Sequence, residues 1–292
     1  MKLDYLAKLD RQILSFEIFP PKHGTALQNI DGTLEVLADL KPDFISVTFG
    51  AGGTAVNSKT IELASRIKNI YAIEPVVHLT CLNYTKDEIR GILNELTENG
   101  IENILALRGD VNPDITPRKE FFYASDLIRF VREETGDRFH IFGACYPETH
   151  TEAESRAKDI RHLKEKVEAG ATHLLSQLFF DNAKYYRFLE DLDVADIHVP
   201  VEAGIMPITN KAQIERMLTT CGATLPEKHR RILTRYEENK EALFDAGLAY
   251  AVNQIVDLLT SGVDGIHLYT MNNPRLARRI CDAIRNIMAV RG

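Results

Sequence analysis

The chain has 292 residues, 45% of them hydrophobic and 26% charged, with a formal net charge of −7 at pH 7. That balance is ordinary for a globular protein, and no run approaches the ~18 apolar residues of a membrane span. Without a global excess of base there is little to neutralise a phosphate backbone, so neither a membrane nor a nucleic acid is expected as a partner.

From the amino end, residues 1–10 are broken by charge every few positions and lack the apolar core of a secretory signal, which points to a cytoplasmic protein. Apolar, β-branched runs of strand length then recur at 13–19, 43–49, 74–81, 102–107, 139–146, 172–179, 199–205 and 264–270. Between them lie segments of helical period, such as Ile89, Leu93 and Leu96, or Ile160, Leu163 and Val167. Helical crossovers make successive strands parallel. Near-continuous apolar runs such as Phe44-Ile45-Ser46-Val47 fit strands buried on both faces. Eight such units without a linker or composition break predict an α/β fold, a single (β/α)8 TIM barrel over residues 1–292. Between the seventh and eighth strands, runs at 213–219, 226–239 and 242–259 predict extra helices outside the barrel.

Cys81, Cys145, Cys221 and Cys281 are far apart and form no Cys-x-x-Cys pair, so reduced thiols are expected rather than disulfides or zinc ligands. The nine histidines form no ligand-spaced cluster, and no metal is expected. Near the carboxyl end Arg275, Arg278, Arg279 and Arg285 read as a solvated helix face more readily than as an anion site.

Active sites of such barrels assemble at the carboxyl ends of the strands. Here Glu17, Thr48, His78, Arg108 with Asp110, Tyr146 and Gln177 end strands one to six at intervals of 30 to 38 residues, which predicts a converging ring. Glu17 lies between Phe16 and Ile18, where a carboxyl is either half of a buried ion pair or a general acid; the second reading is preferred. Thr48 and Gln177 alone are equally readable as hydrogen-bond fillers, and His78 alone as a core histidine. Arg108 and Asp110 closing an apolar strand call for partners, either a ligand or other members of the ring. Gly50-Ala51-Gly52-Gly53-Thr54-Ala55 meets the relaxed dinucleotide fingerprint, but Glu74 begins the next strand instead of ending it, so the match is discounted. P-loop, nucleophile-elbow and zincin motifs are absent.

Taken together, the stretches 15–21 (Ser-Phe-Glu-Ile-Phe-Pro-Pro), 46–51, 78–81, 106–110 (Ala-Leu-Arg-Gly-Asp), 123–127, 146–150 (Tyr-Pro-Glu-Thr-His), 177–181, 204–207 and 267–270 resemble the methylenetetrahydrofolate reductase family, in the same order along nearly the whole chain. The resemblance implies a barrel holding non-covalent FAD, with Thr48, His78, Arg108, Gly109, Asp110, Tyr123, Ala124, Tyr146, His150, Asp159, His162 and Lys166 around the cofactor. It implies that Glu17, Asp110 and Gln177 face the folate, with Thr48 and Arg275 as further substrate contacts. The implied reaction is ping-pong: NADH or NADPH reduces the flavin, and the flavin then reduces 5,10-methylenetetrahydrofolate to 5-methyltetrahydrofolate. Glu17 would protonate N10, Asp110 would stabilise the iminium ion, and Gln177 would orient the pterin. A homo-oligomer is implied, and a redox partner protein is an alternative electron source. Two other readings are a flavin-free pterin-binding one-carbon transferase and a barrel subunit of a larger redox complex.

Several positions depart from the family pattern. Glu165 replaces a basic residue near the flavin phosphates, and His162 replaces an asparagine in the same helix. Lys211 stands where an aromatic residue is usual, and Asn273 where an arginine is usual, with Arg275 two positions on as a substitute. Asp159, His162 and Lys166 share a helix face, from which Glu165 is offset by one position.

Overall fold

The computed structural model describes residues 1–21, 30–49, 54–111 and 118–290, with the backbone alone at 54–58. Eight strands, β1 (Ile13–Ile18), β2 (Phe44–Val47), β3 (Glu74–Thr80), β4 (Asn103–Leu107), β5 (His140–Cys145), β6 (His173–Ser176), β7 (Val201–Ile205) and β8 (Gly265–Tyr269), close into a parallel barrel in chain order. The helices are α1 (Asp31–Asp39), α2 (Thr54–Tyr71), α3 (Lys86–Glu98), α4 (Ala124–Thr135), α5 (Arg156–Glu168), α6 (Asn182–Val194), α7 (Lys211–Cys221), α8 (Glu227–Tyr236), α9 (Lys240–Thr260) and α10 (Pro274–Met288). The predicted TIM barrel is thus the observed fold. Residues 50–53 of the discounted dinucleotide fingerprint lie outside the described residues.

Local chemistry sets the element boundaries. Thr85 and Glu88 form a reciprocal capping box that starts α3, and Ser155 caps α5 by accepting from the Lys158 N–H. Asn273 caps α10 through the Leu276 N–H, with Pro274 in the first turn, so its side chain is engaged in helix initiation. The main core lies between strands and helices and includes Ile89, Leu93, Leu96 and Leu163 from the predicted apolar faces. A smaller cluster seals the amino-terminal end of the barrel, where Leu3 and Leu6 plug the interior against Phe44, Val76, Leu105 and Phe142. Asn103 satisfies the Leu3 N–H there at 2.8 Å.

Two expectations are corrected. Of the three helical runs between β7 and β8, only α7 and α8 are additions to the ring. They bury Ile214, Ile232 and Leu233 against Leu178, Phe180 and Met206 above the barrel. The third, α9, is the ordinary crossover helix, touching β7, α6 and α10. It is also, among the described residues, the one helix long and apolar enough by length and composition to cross a membrane, contrary to the absence of such a run expected above. Here its apolar residues Leu248, Ala251, Ile255 and Leu258 are buried in the core.

Strand ends also fall earlier than predicted. β2 stops at Val47 and β6 at Ser176, so Thr48 and Gln177 each sit one residue beyond the strand. Each still donates one backbone bond to its neighbour, Thr48 to Ile18 O at 3.0 Å and Gln177 to Cys145 O at 2.8 Å. The side chains of Thr48 and Gln177 are thus delivered just past the strand ends.

Candidate active site

A cavity of about 670 Å³ opens at the carboxyl ends of the strands. Glu17, Thr48, His78, Arg108, Gly109, Asp110, Tyr123, Ala124, Tyr146, His150, Asp159, His162, Lys166 and Gln177 all line it. The structure therefore brings together every predicted site residue except Arg275. That guanidinium projects from the first turn of α10, pairs with Glu241 at 2.7 Å and covers the Phe244 ring at 4.5 Å. The other three arginines of the basic cluster are likewise paired along α10, with Asp39, Asp245 and Asp282. Lys211 is held by Glu237.

The floor of the cavity is built by β1, β3 and β8. Glu17 Oε2 stands 3.6 Å from His78 Nε2 and 3.9 Å from His267 Nε2, with the carboxylate side chain only 19% exposed. The Thr270 hydroxyl holds the Glu17 carbonyl at 2.7 Å, fixing the strand end. Burial, opposed by Glu17, pushes His78 down to about 4, so its ring is neutral near pH 7. His78 Nε2 is buried without a hydrogen-bond partner. An orphaned polar atom on a cavity wall suits a ligand. Beside it the Tyr269 hydroxyl donates to Ser176 O at 2.9 Å, and burial holds that phenol well above its ordinary value. Gly204 makes this approach feasible, because a Cβ there would lie 2.3 Å from Ser176 O and 2.8 Å from the Tyr269 ring. The Gln177 carboxamide oxygen accepts from the Leu178 N–H at 2.9 Å, which orients the amide.

The rim is charged. Arg108 makes a two-pronged pair with Glu152 at 2.5 and 2.7 Å, which answers the call for a partner with a residue from the β5–α5 connection rather than the strand-end ring. Glu152 in turn donates its N–H to His150 Nδ1, and His150 donates its own N–H to Asp159. Gly109 adopts φ of 89°, a backbone conformation that glycine reaches without the strain a side chain would bring. Lys166 is half-buried, donates to Ala144 O at 2.8 Å, and is lowered by desolvation against the pull of Cys145 and Asp159. The Asp126 carboxylate accepts from the Tyr123 N–H at the start of α4, setting that ring beside His162, with centroids 6.0 Å apart and planes at 11°. Glu165 also lines the cavity, although its helical position is offset from the Asp159 face, because its side chain turns to His162 Nδ1 at 3.3 Å.

Non-covalent flavin dinucleotide fits this donor set. The Lys166 ammonium, Arg108, His150 and His162 offer cationic or N–H groups for a pyrophosphate, and the flat Tyr123–His162 pair offers a surface for a ring. Among the described residues no group of three His, Cys, Asp or Glu side chains is placed to hold a metal ion, and the four cysteines are free and buried.

Sequence reasoning missed Glu152, His267 and Tyr269. The last two alternate with Leu268 in a strand that ends at the cavity, a period-2 signal that was available. Glu152 lies in a connection without periodicity, and nothing local marks it.

The family described as methylenetetrahydrofolate reductase matches residues 2–285. The 5,10-methylenetetrahydrofolate reductase of Escherichia coli is 35% identical over 280 residues, covering 96% of this chain and 93% of that protein. Methylenetetrahydrofolate reductase (NADH) 1 of Arabidopsis thaliana is 34% identical over 284 residues; the match covers 93% of this chain but 48% of the plant protein, so the chain spans about half the length of its plant relatives. A solved structure of an uncharacterised protein from Clostridium thermocellum, which binds two copies of 5-methyl-5,6,7,8-tetrahydrofolic acid, superposes with a TM-score of 0.72 at 15% identity over 98% of both chains, a likeness of fold. With the family match running through every strand that builds the cavity, the chain belongs to the methylenetetrahydrofolate reductase family.

Proposed function

We propose that this protein reduces 5,10-methylenetetrahydrofolate to 5-methyltetrahydrofolate with bound FAD, in ping-pong order, with a reduced nicotinamide as electron donor. The observation that carries the reading is Glu17: a carboxyl at the floor of a cavity, facing two imidazoles and set below a charged rim. NADH is the favoured donor, since the names of the plant relatives specify it.

FAD, when bound, supplies the hydride that converts the folate's one-carbon unit to a methyl group. Arg108, His150 and Lys166 would hold its phosphates, and Tyr123 with His162 would flank a ring. Glu17 holds the proton that N10 needs as it leaves the five-membered ring, for an amine departs far more readily once protonated. Asp110 is exposed at the mouth and supplies negative charge for the cationic iminium that ring opening creates. Gln177 orients the pterin through its fixed amide. Neutral His78, with its unpartnered Nε2, adds a hydrogen-bonding group without adding charge to the floor.

The test is spectroscopic. The purified protein should be yellow, with a flavin band near about 450 nm. NADH under anaerobic conditions should bleach that band, and methylenetetrahydrofolate should restore it with stoichiometric 5-methyltetrahydrofolate. A colourless protein that still binds reduced folates would instead indicate a flavin-free one-carbon transferase.

A further inference from the structure

The barrel interior holds a line of polar side chains that the reaction as described leaves unused. Ser15 on β1, His173 on β6, Glu202 on β7 and His267 on β8 are each at most 1% exposed. The Ser15 hydroxyl donates to Glu202 Oε2 at 2.5 Å and lies 2.7 Å from His267 Nδ1. His173 Nε2 stands 3.0 Å from the other oxygen of Glu202, off the hydrogen-bonding axis. Across the imidazole, His267 Nε2 lies 3.5 Å from the Ser46 hydroxyl and 3.9 Å from Glu17 Oε2. Strand register builds the line: Ser15 sits opposite His267 with Glu17 two residues on, and Glu202 sits opposite Gly265, two residues before His267. Gly265 leaves the room Glu202 needs, since a Cβ there would lie 3.0 Å from Glu202 Cγ.

Proton counting gives this line a direction. A carboxylate only accepts, and a serine hydroxyl has one proton. Ser15 commits that proton to Glu202, so its oxygen is left to accept from His267 Nδ1–H. An uncharged imidazole protonated at Nδ1 carries its lone pair on Nε2, the atom that faces Glu17. At 3.9 Å the contact is electrostatic, and a lone pair pointing at a carboxyl disfavours the carboxylate and favours the acid.

We propose that Glu202 is a positioning residue which, through Ser15, fixes the tautomer of His267 and turns its Nε2 lone pair toward Glu17. The inference rests on Glu17 being the acid of the folate half-reaction. The other titratable groups facing the line carry no charge at neutral pH. Glu17 also faces His78 from β3, Tyr269 from β8 and Cys221 from α7. Glu202 also faces Tyr185 from α6, and His173 faces His140 from β5. Burial drives His78 down to about 4, His140 down to about 3 and Cys221 up to about 11, and holds both phenols well above their ordinary value, so all five are uncharged at neutral pH.

Two variants break the line at different points: Glu202→Leu removes the acceptor, and Ser15→Ala removes the bridge while leaving Glu202 beside His173. Nitrogen-15 chemical shifts of His267, assigned by their loss in His267→Gln, report its tautomer without any folate or flavin chemistry. The wild type should show the Nδ1-protonated form and both variants the Nε2-protonated form. In the flavin-loaded enzyme, the folate half-reaction should slow by about tenfold on its alkaline side in both, while reduction by NADH is unchanged. An Nε2-protonated or doubly protonated His267 in the wild type, or an unchanged tautomer in the variants, would overturn the proposal. If Glu202→Leu does not fold, Ser15→Ala decides alone. Should the folate reading itself be wrong, the wild type will not reoxidise with methylenetetrahydrofolate, and the nitrogen shifts still answer the question of the line.

Discussion

The floor and the rim of the cavity solve different problems with different physics. At the floor Glu17, His78 and His267 are largely removed from water, and burial leaves the His78 ring neutral. At the rim Arg108, Glu152, His162 and Glu165 are charged or half-exposed, with Glu152 53% and Glu165 43% accessible. Desolvation strips the His78 ring of its proton at the floor, whereas at the rim solvent and salt screen each pair to a small net value. Floor substitutions should therefore change chemistry, and rim substitutions should change affinity.

The largest effect expected is at Glu17. Glu17→Gln should lower methylenetetrahydrofolate reduction by about 10²–10⁴-fold, the range for loss of a general acid, while NADH still reduces the flavin. Stopped-flow traces of the two half-reactions check this, and equal losses in both would erase the distinction between floor and rim.

Next comes pH. Desolvation holds His78 at about 4 and His140 at about 3 in the folded chain, against 6.5 for both when free. The unfolded chain takes up these protons first as pH falls, so the stabilisation is complete above 6.5 and is lost progressively between 6.5 and about 4 or 3. At pH 5 each histidine should have cost about 2 kcal/mol. Thermal unfolding at pH 5 and pH 7 measures the loss, and His78→Gln should flatten it; an identical slope in the variant would contradict a neutral, desolvated His78.

Asp110 is exposed, so its electrostatic contribution is smaller. Asp110→Asn should slow the folate half-reaction by about 5- to 10-fold, on the order of 1 kcal/mol for one charge in a solvent-like dielectric, with flavin retention unaffected. The smallest effect belongs to Glu165. Glu165→Arg should tighten FAD by about 2- to 5-fold at low ionic strength, a gain that disappears in high salt. Fluorescence recovery on FAD release measures it; equal dissociation constants at low salt would mean that Glu165 faces the cavity without touching the energetics of the cofactor.

The same division explains what the sequence disclosed. Strand number, order and the polar residue at each strand end are short-range signals, so the barrel and the ring from Glu17 to Gln177 were legible from periodicity and spacing alone. Arg275 was misplaced because a basic residue near a motif says nothing about where its long side chain goes; Glu241, 34 residues earlier, determines that. Glu152 and the buried line through Glu202 depend on pairs 44 and 187 residues apart, which no local pattern encodes. α9 reads as an extra helix until its contacts with β7 and α10 show it to be part of the ring.

The most direct measurement of the account is the pH dependence of the two half-reactions in the wild-type holoenzyme, followed anaerobically by flavin absorbance. Reoxidation by methylenetetrahydrofolate should fall at alkaline pH, as the proton on the floor is lost, while reduction by NADH stays flat across the same range. Parallel decline of both, or no reoxidation at any pH, would contradict the assignment of Glu17 as the acid that drives folate ring opening.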